Sequence, residues 1–361
     1  MKVSIVIGTP PELIKMSPVM KELLKRGVPF SFIHSNQHYS KEMDGNIIKN
    51  LNLPPIDSHL HVGSGSHATQ TGKVMSGVED IWLNDRPDLV IVHGDTNTTV
   101  GAALTAAKLQ LPVAHVEAGL RSFDNLMPEE INRILTDHMS SLLFAPTTLA
   151  KQHLIKEGIS KGKIIVTGNT VVDALNQHLD MAIQVLGKEY IEEGQKYMLV
   201  TAHRPENVDS KEQAEKLFHL LQQLSDKTGL KIIWPMHPRT KKNFKEFHIS
   251  IPKKLGLLIP PVDYFTMLRL INSAQLVVTD SGGIQEEAFI LKKPLITIRT
   301  STERPETLSA NFIVSLNIDL AMKAWNKYER NEVTWKQTLG KGNAARLIVD
   351  SIQTFLEKRS I

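Results

Sequence analysis

Residues 276–291 read Leu-Val-Val-Thr-Asp-Ser-Gly-Gly-Ile-Gln-Glu-Glu-Ala-Phe-Ile-Leu. A short β-branched apolar run ends in Asp280, the small residues Ser281, Gly282 and Gly283 turn the chain, and helix-forming residues 284–291 follow. Strand, tight turn and helix form the unit from which parallel α/β sheets are assembled. Outward from this stretch the layout recurs. Apolar runs at 198–201, 232–235, 257–259, 295–298 and 312–315 accompany 276–279, and the first half carries them at 3–7, 30–34, 89–93, 113–116, 142–145 and 164–167. Segments with helical spacing separate them, as at Leu13, Met16, Met20, Leu23 and Leu24, with Gly27 placed for a helix C-cap.

Two similar series predict an α/β chain of two doubly wound parallel-sheet (Rossmann-like) domains facing a central cleft. The length agrees, because 361 residues exceed what one core usually organises. The charged stretch 180–196 lacks β signals, so the boundary is expected within 170–190, with a first domain over 1–172 and a second over 173–361. Segment 343–355 is amphipathic and predicts a closing helix able to pack back on the first domain.

Composition narrows the function. Hydrophobic residues make up 41% and charged residues 22%, an ordinary globular balance. The chain has no cysteine, which excludes disulfides, thiolate nucleophiles and Cys-type zinc sites and suits a cytoplasmic location. The net charge is only +4, and Lys241-Lys242 and Lys253-Lys254 are isolated pairs rather than a phosphate-tracking stripe, so no nucleic-acid partner is expected. There is no run of 18 apolar residues and no signal-peptide pattern at the N-terminus, so no membrane insertion is expected either.

Polar clusters follow the predicted strands at their carboxyl ends, where open parallel sheets bind ligands. They are Gly8-Thr9, His34 to His38, Gly94-Asp95-Thr96 and Glu117-Ala118-Gly119, then Ala202-His203-Arg204, Met236 to Arg239, Asp280 to Gly283 and Arg299 to Arg304. Ser281-Gly282-Gly283 opens a helix whose free N–H groups can receive a phosphate, although such a turn can also need glycine for backbone reasons alone. Glu286 and Glu287, one turn in, shift the balance towards a nucleotide, since a carboxylate there can accept from ribose hydroxyls.

Asp95, Glu117, Glu129 and Glu130 from one half and His203 and His237 from the other form an inventory for proton transfer. Each has a structural alternative. Asp95 can cap a helix starting near Thr96, Glu129 and Glu130 can complement the first turn of a helix beginning near Pro128, and His203 can hydrogen-bond structurally. Joint placement at strand ends favours function. No HExxH pair occurs, and His34 and His38 flank loop-like Asn36-Gln37, so no metal is assigned.

The strings together resemble the non-hydrolysing UDP-N-acetylglucosamine 2-epimerases nearly end to end. The resemblance is carried by Gly8-Thr9 with Pro11-Glu12 and Lys15, Gly94 to Thr96, His115 to Arg121, Pro128 to Arg133, Thr136 to His138, Gly168 to Thr170, His203-Arg204 with Glu206-Asn207, His237 to Thr240, Asp280 to Ala288, and Thr302 to Glu306. It implies a glycosyltransferase-B-like architecture and reversible epimerisation of UDP-GlcNAc to UDP-ManNAc. The implied route is anti elimination of UDP through 2-acetamidoglucal and re-addition, with no redox cofactor. By position, Asp95, Glu117, Glu129 and His203 match the family's acid, base and stabilising residues, with the face of C2 that each serves left open.

The resemblance further implies that Ser281, Gly282 and Gly283 bind the diphosphate and Glu287 the ribose, with Lys15, Arg204, His237, Arg239 and Arg304 around the nucleotide sugar. Gln37, His38 and Gln70 resemble residues that line an allosteric UDP-GlcNAc site in some members, and a homodimer is implied. The chain departs from the family where Pro10 replaces an arginine and where Asn311 and Asn317 replace glycines, which left-handed tolerance of asparagine would accommodate. Two alternatives to the leading function stand beside it: a hydrolysing epimerase that releases ManNAc and UDP, and, because Pro10 replaces the loop arginine, a catalytically weakened UDP-sugar-binding regulator.

Overall fold

In a computed structural model the described residues are 2–37, 47–185, 190–191 and 194–359. The chain divides into two compact units, residues 1–177 with 338–361, and residues 178–337.

The first unit holds a seven-stranded, all-parallel sheet of β1 (Val3–Ile7), β2 (Phe30–His34), β3 (Ser58–His59), β4 (Leu89–His93), β5 (Val113–Val116), β6 (Leu142–Ala145) and β7 (Ile164–Val166), in the order β3-β2-β1-β4-β5-β6-β7. Register is set on both sides of β1, where Ile5 stands opposite Phe32 and Ile91. The order reverses between β1 and β4, which makes that point the crevice where loops part in opposite directions. β3 carries no readable sequence signal, because two residues have no periodicity.

Helix α1 (Pro10–Lys25) buries Leu13, Met16, Met20 and Leu23 completely, but Leu24 is 49% exposed, because it lies a third of a turn off the buried stripe. It ends at Arg26 in a Schellman arrangement: left-handed Gly27 donates to Leu24 O and Val28 to Leu23 O. Pro18 lacks the N–H that Ile14 O would accept, and the Ser17 hydroxyl donates there instead at 2.8 Å. Helices α2 (His67–Asn84), α3 (Asn97–Lys108), α4 (Pro128–Met139) and α5 (Thr148–Lys156) follow in this unit.

Helix α6 (Thr170–Val185) runs through the point where the units divide. Its Asp173 accepts from the N–H groups of Ala344 and Ala345, which starts a last helix that belongs to the first unit. Arg26 at the end of α1 donates to Asp350 and Gln353 of that helix.

The second unit has a six-stranded parallel sheet of β8 (Tyr197–Thr201), β9 (Lys231–Pro235), β10 (Gly256–Ile259), β11 (Leu276–Thr279), β12 (Leu295–Thr297) and β13 (Asn311–Ile313), ordered β10-β9-β8-β11-β12-β13. Its reversal lies between β8 and β11. Helices α7 (Pro205–Val208), α8 (Lys211–Thr228), α9 (Pro238–Glu246), α10 (Tyr264–Ser273), α11 (Gly282–Ile290) and α12 (Ile318–Glu329) cover it, around a core that includes Trp234, Leu217 and Val278. The last helix, α13, spans Ala344–Arg359. Among the described residues no helix is long and apolar enough to cross a membrane.

Three expectations change. Pro10 is not in a loop but at the first position of α1, where its missing N–H costs no hydrogen bond. Asn311 lies in β13 and Asn317 is the extended N-cap of α12, accepting from Asp319 and Leu320, so neither needs left-handed backbone. The positive φ angles of that stretch fall on Ser315 and Leu316.

Candidate functional site

Beside the β1–β4 crossover the chain turns sharply after β4, where Gly94 has φ +69, and after the neighbouring β5, where Glu117 has φ +72. Thr96, not Asp95, caps α3, its hydroxyl accepting from Thr99 N. The carboxylate of Asp95 is thereby released from capping and pairs with Arg133 of α4, while its carbonyl accepts from Asn132. Glu117 is buried, accepts from Lys15 Nζ at 2.6 Å and has His93 Nε2 at 3.6 Å. The ammonium that the resemblance implies for the nucleotide sugar therefore faces a carboxylate in this structure.

Two adjacent glutamates part company at the start of α4. Glu129 is exposed. Glu130 is buried and accepts from Ser122 N, Phe123 N and Arg133, which together outweigh its burial and hold its carboxyl below the usual range. The sequence places Glu12 only within the match around Gly8-Thr9 and assigns it no role there. Its carboxylate accepts from Gly8 N, Thr9 N and three threonine hydroxyls, of Thr9, Thr96 and Thr99, and so links the turn after β1 to the start of α3. Burial, only partly offset by those bonds, pushes it up to about 7. The capping-box spacing from Thr9 to Glu12 was the available signal.

Gln37 accepts from the backbone and hydroxyl of Thr98, and Gln70 donates to Gly63 O while accepting from Asn97. Both are buried and engaged within the first unit. His38 lies outside the described residues.

In the second unit Asp280 is fully buried at the end of β11 and accepts from His203 N, Arg204 N and Asn207 Nδ2 at 2.9–3.0 Å, so that one carboxylate ties the two turns at the β8–β11 crossover. His203 Nδ1 lies 3.3 Å from its other oxygen. Ser281 is the N-cap of α11 and makes no side-chain cap bond. A Cβ on Gly282 would come within 2.7 Å of Glu303, whereas one on Gly283 would meet nothing within 4 Å.

Glu303 is ringed by cations. Arg299 lies at 2.6 Å and Arg204 at 3.7 Å. Although burial opposes ionisation, Arg304, Arg299 and Arg204 hold this carboxyl at about 2. Arg304 also reaches Glu286 at 2.9 Å, and neighbouring Glu287 is buried on the same helix.

His237 caps α9 and sits 5.5 Å from the His203 ring, its basicity lowered by burial and by His203 and Arg239. Arg239 is exposed and pairs with Asp209. Each crossover thus gathers one chemistry: paired carboxylates and cations in the first unit, and a helix N-terminus ringed by histidine and arginine in the second.

The family described as UDP-N-acetylglucosamine 2-epimerase matches residues 21–353. A UDP-N-acetylglucosamine 2-epimerase from Methanocaldococcus jannaschii is 46% identical over 97% of this chain and 98% of its own length. The crystal structure of the M. jannaschii UDP-GlcNAc 2-epimerase in complex with UDP-GlcNAc and UDP superposes with a TM-score of 0.90 at 45% identity, covering 98% of this chain and 100% of that one. The Neisseria meningitidis UDP-GlcNAc 2-epimerase bound to UDP-GlcNAc gives 0.88 at 32% identity over 98% and 100%. Two parallel-sheet α/β units with these strand orders, and a match over nearly the whole length, place the chain in the UDP-N-acetylglucosamine 2-epimerase family.

Proposed function

We propose that the protein interconverts UDP-GlcNAc and UDP-ManNAc without net hydrolysis. A base takes the C2 proton, the C1–O bond breaks with its electron pair leaving on UDP, and 2-acetamidoglucal remains. UDP then re-adds through its β-phosphate oxygen while a proton is delivered to the other face of C2. Every atom is returned, so no redox cofactor is required.

One observation carries this reading: two carboxylates, Asp95 and Glu117, follow adjacent strands, each beside its own cation, Arg133 and Lys15. Opposite faces of one carbon need two such groups, and a nearby cation steadies the charge as each changes protonation. In the second unit the N-terminus of α11, with Arg204 and His203 beside it, supports a role in receiving the departing diphosphate, and Glu287 one in binding ribose hydroxyls.

The test is incubation with UDP-GlcNAc in deuterated water, followed by NMR. UDP-ManNAc with deuterium at C2 is expected. Product without label removes the proton-transfer route, free ManNAc with UDP indicates a hydrolysing enzyme, and tight UDP binding without turnover indicates a regulator.

A further inference from the structure

The geometry points to His115 as a buried imidazolium that, through Asp137, positions the turns bearing Asp95 and Glu117. This inference rests on the proton-transfer reading above for its kinetic consequence, but not for its charge state.

His115 stands in the middle of β5, fully buried, between Val92 on β4 and Leu143 on β6. Its Nδ1 lies 2.7 Å from Asp137 Oδ1 and its Nε2 lies 2.8 Å from the carbonyl oxygen of Gly94. Asp137 is held as a carboxylate independently of His115, since its Oδ2 faces the Arg121 guanidinium and accepts from Gly119 N, and a peptide carbonyl can only accept. Both ring nitrogens must then donate, and only the cation does so. Turning the ring over does not escape this, because it would set carbon atoms against two oxygens at hydrogen-bond distance.

The neighbouring charges balance. Asp137 Oδ2 accepts from Arg121 at 2.7 Å and from Gly119 N at 3.1 Å, and Arg121 is paired with Glu157 in turn. The other ionisable groups near this end of β4 and β5 include Glu117 with Lys15 and His93, Asp95 with Arg133, and His153, whose Nδ1 lies 3.0 Å from the Gly119 carbonyl. Two cations thus meet two anions, with His115, Asp137 and Arg121 buried and Glu157 at the edge, and an unbalanced charge among the buried three would be far more costly than a balanced set.

The same contacts reach both reacting turns. The Gly94 carbonyl belongs to the peptide that leads directly into Asp95, so the Nε2–H bond fixes its plane. On the other side the turn Glu117 to Gly119, with φ +72 and +82 at its ends, is held by Gly119 N on Asp137. One rigid pair therefore sets the aim of two carboxylates. His115 itself is a positioning residue and touches no substrate.

Neutron diffraction from deuterium-exchanged crystals of the whole protein at neutral pH tests the charge state. Deuterium on both Nδ1 and Nε2 is expected, and deuterium on one nitrogen alone overturns the inference. His115→Asn tests the consequence, since it can still donate to Asp137 but loses Gly94. Misaiming by about 1 Å should lower kcat about 10–100-fold with KM and UDP affinity within about twofold. A lowered melting temperature with kcat unchanged, or a rise in KM alone, leaves only a structural role and overturns the positioning. If the variant does not fold, the neutron result decides the charge state and Asp137→Asn, which weakens the hold on Gly119 N, tests the positioning by the same kcat and KM readout. If wild-type protein shows no C2 exchange, it is the proposed function that fails, and the protonation of His115 is still read independently.

Discussion

Glu117 combines burial, a left-handed backbone and an ammonium at 2.6 Å, an arrangement that an ordinary surface carboxylate never needs. If it moves a proton at C2, Glu117→Gln lowers kcat about 10²–10⁴-fold and leaves UDP affinity unchanged, read by NMR exchange and calorimetry. Retained turnover would remove Glu117 from the reaction. Pro10, where the resemblance implies an arginine, is at the first position of α1. Pro10→Arg should raise kcat/KM about tenfold if the diphosphate lies beside this turn, because a charge-assisted contact is typically worth about 1.5–3 kcal/mol. No change would place the diphosphate elsewhere.

Glu12 gives a pH dependence. Its carboxyl is raised from 4.5 to about 7, so between those values the folded state binds more protons than the unfolded state. The stability gained by holding that proton is fully present below about 4.5 and is lost as pH rises through about 7, by roughly 3 kcal/mol at most. Urea unfolding across this range should show the fall in wild-type protein and not in Glu12→Gln. Parallel curves would contradict it.

At the scale of elements, α11 is the test case. Gly282 is hemmed in by Glu303, but Gly283 faces open space, so Gly283→Ala fits the protein and slightly favours the helix. The expected result is an unchanged or slightly raised melting temperature with UDP affinity reduced about tenfold or more, as a methyl group intrudes where the phosphate approaches the backbone. Unchanged affinity would mean that this helix end does not hold the diphosphate. The strands other than β3 and this turn were readable from β-branched runs and small residues, which act through local conformation. The division of labour between Glu129 and Glu130 was not, because both suit the first turn of a helix equally and only tertiary packing turns Glu130 inward onto Arg133 and the 122–123 backbone.

At the scale of the whole molecule the chain leaves the first unit at residue 177 and returns to it at 338. Its last helix is started by Asp173 and tied to α1 through Arg26, so truncation after Gln337 should loosen the first unit selectively. Hydrogen exchange should then rise around Trp82 and α1 while the core around Trp234 in the second unit stays protected. Equal loss in both units would contradict this.

The sequence alone determined two doubly wound parallel-sheet units and the strand ends where polar residues gather, since periodicity, small-residue turns and short apolar runs are local properties. Tertiary structure alone decided which charges meet: Lys15 with Glu117, Arg133 with Asp95, Arg204 with Glu303, and His115 between Asp137 and Gly94. Those pairings join residues up to 102 positions apart, as in Lys15 and Glu117, and their strength depends on burial that no single segment specifies.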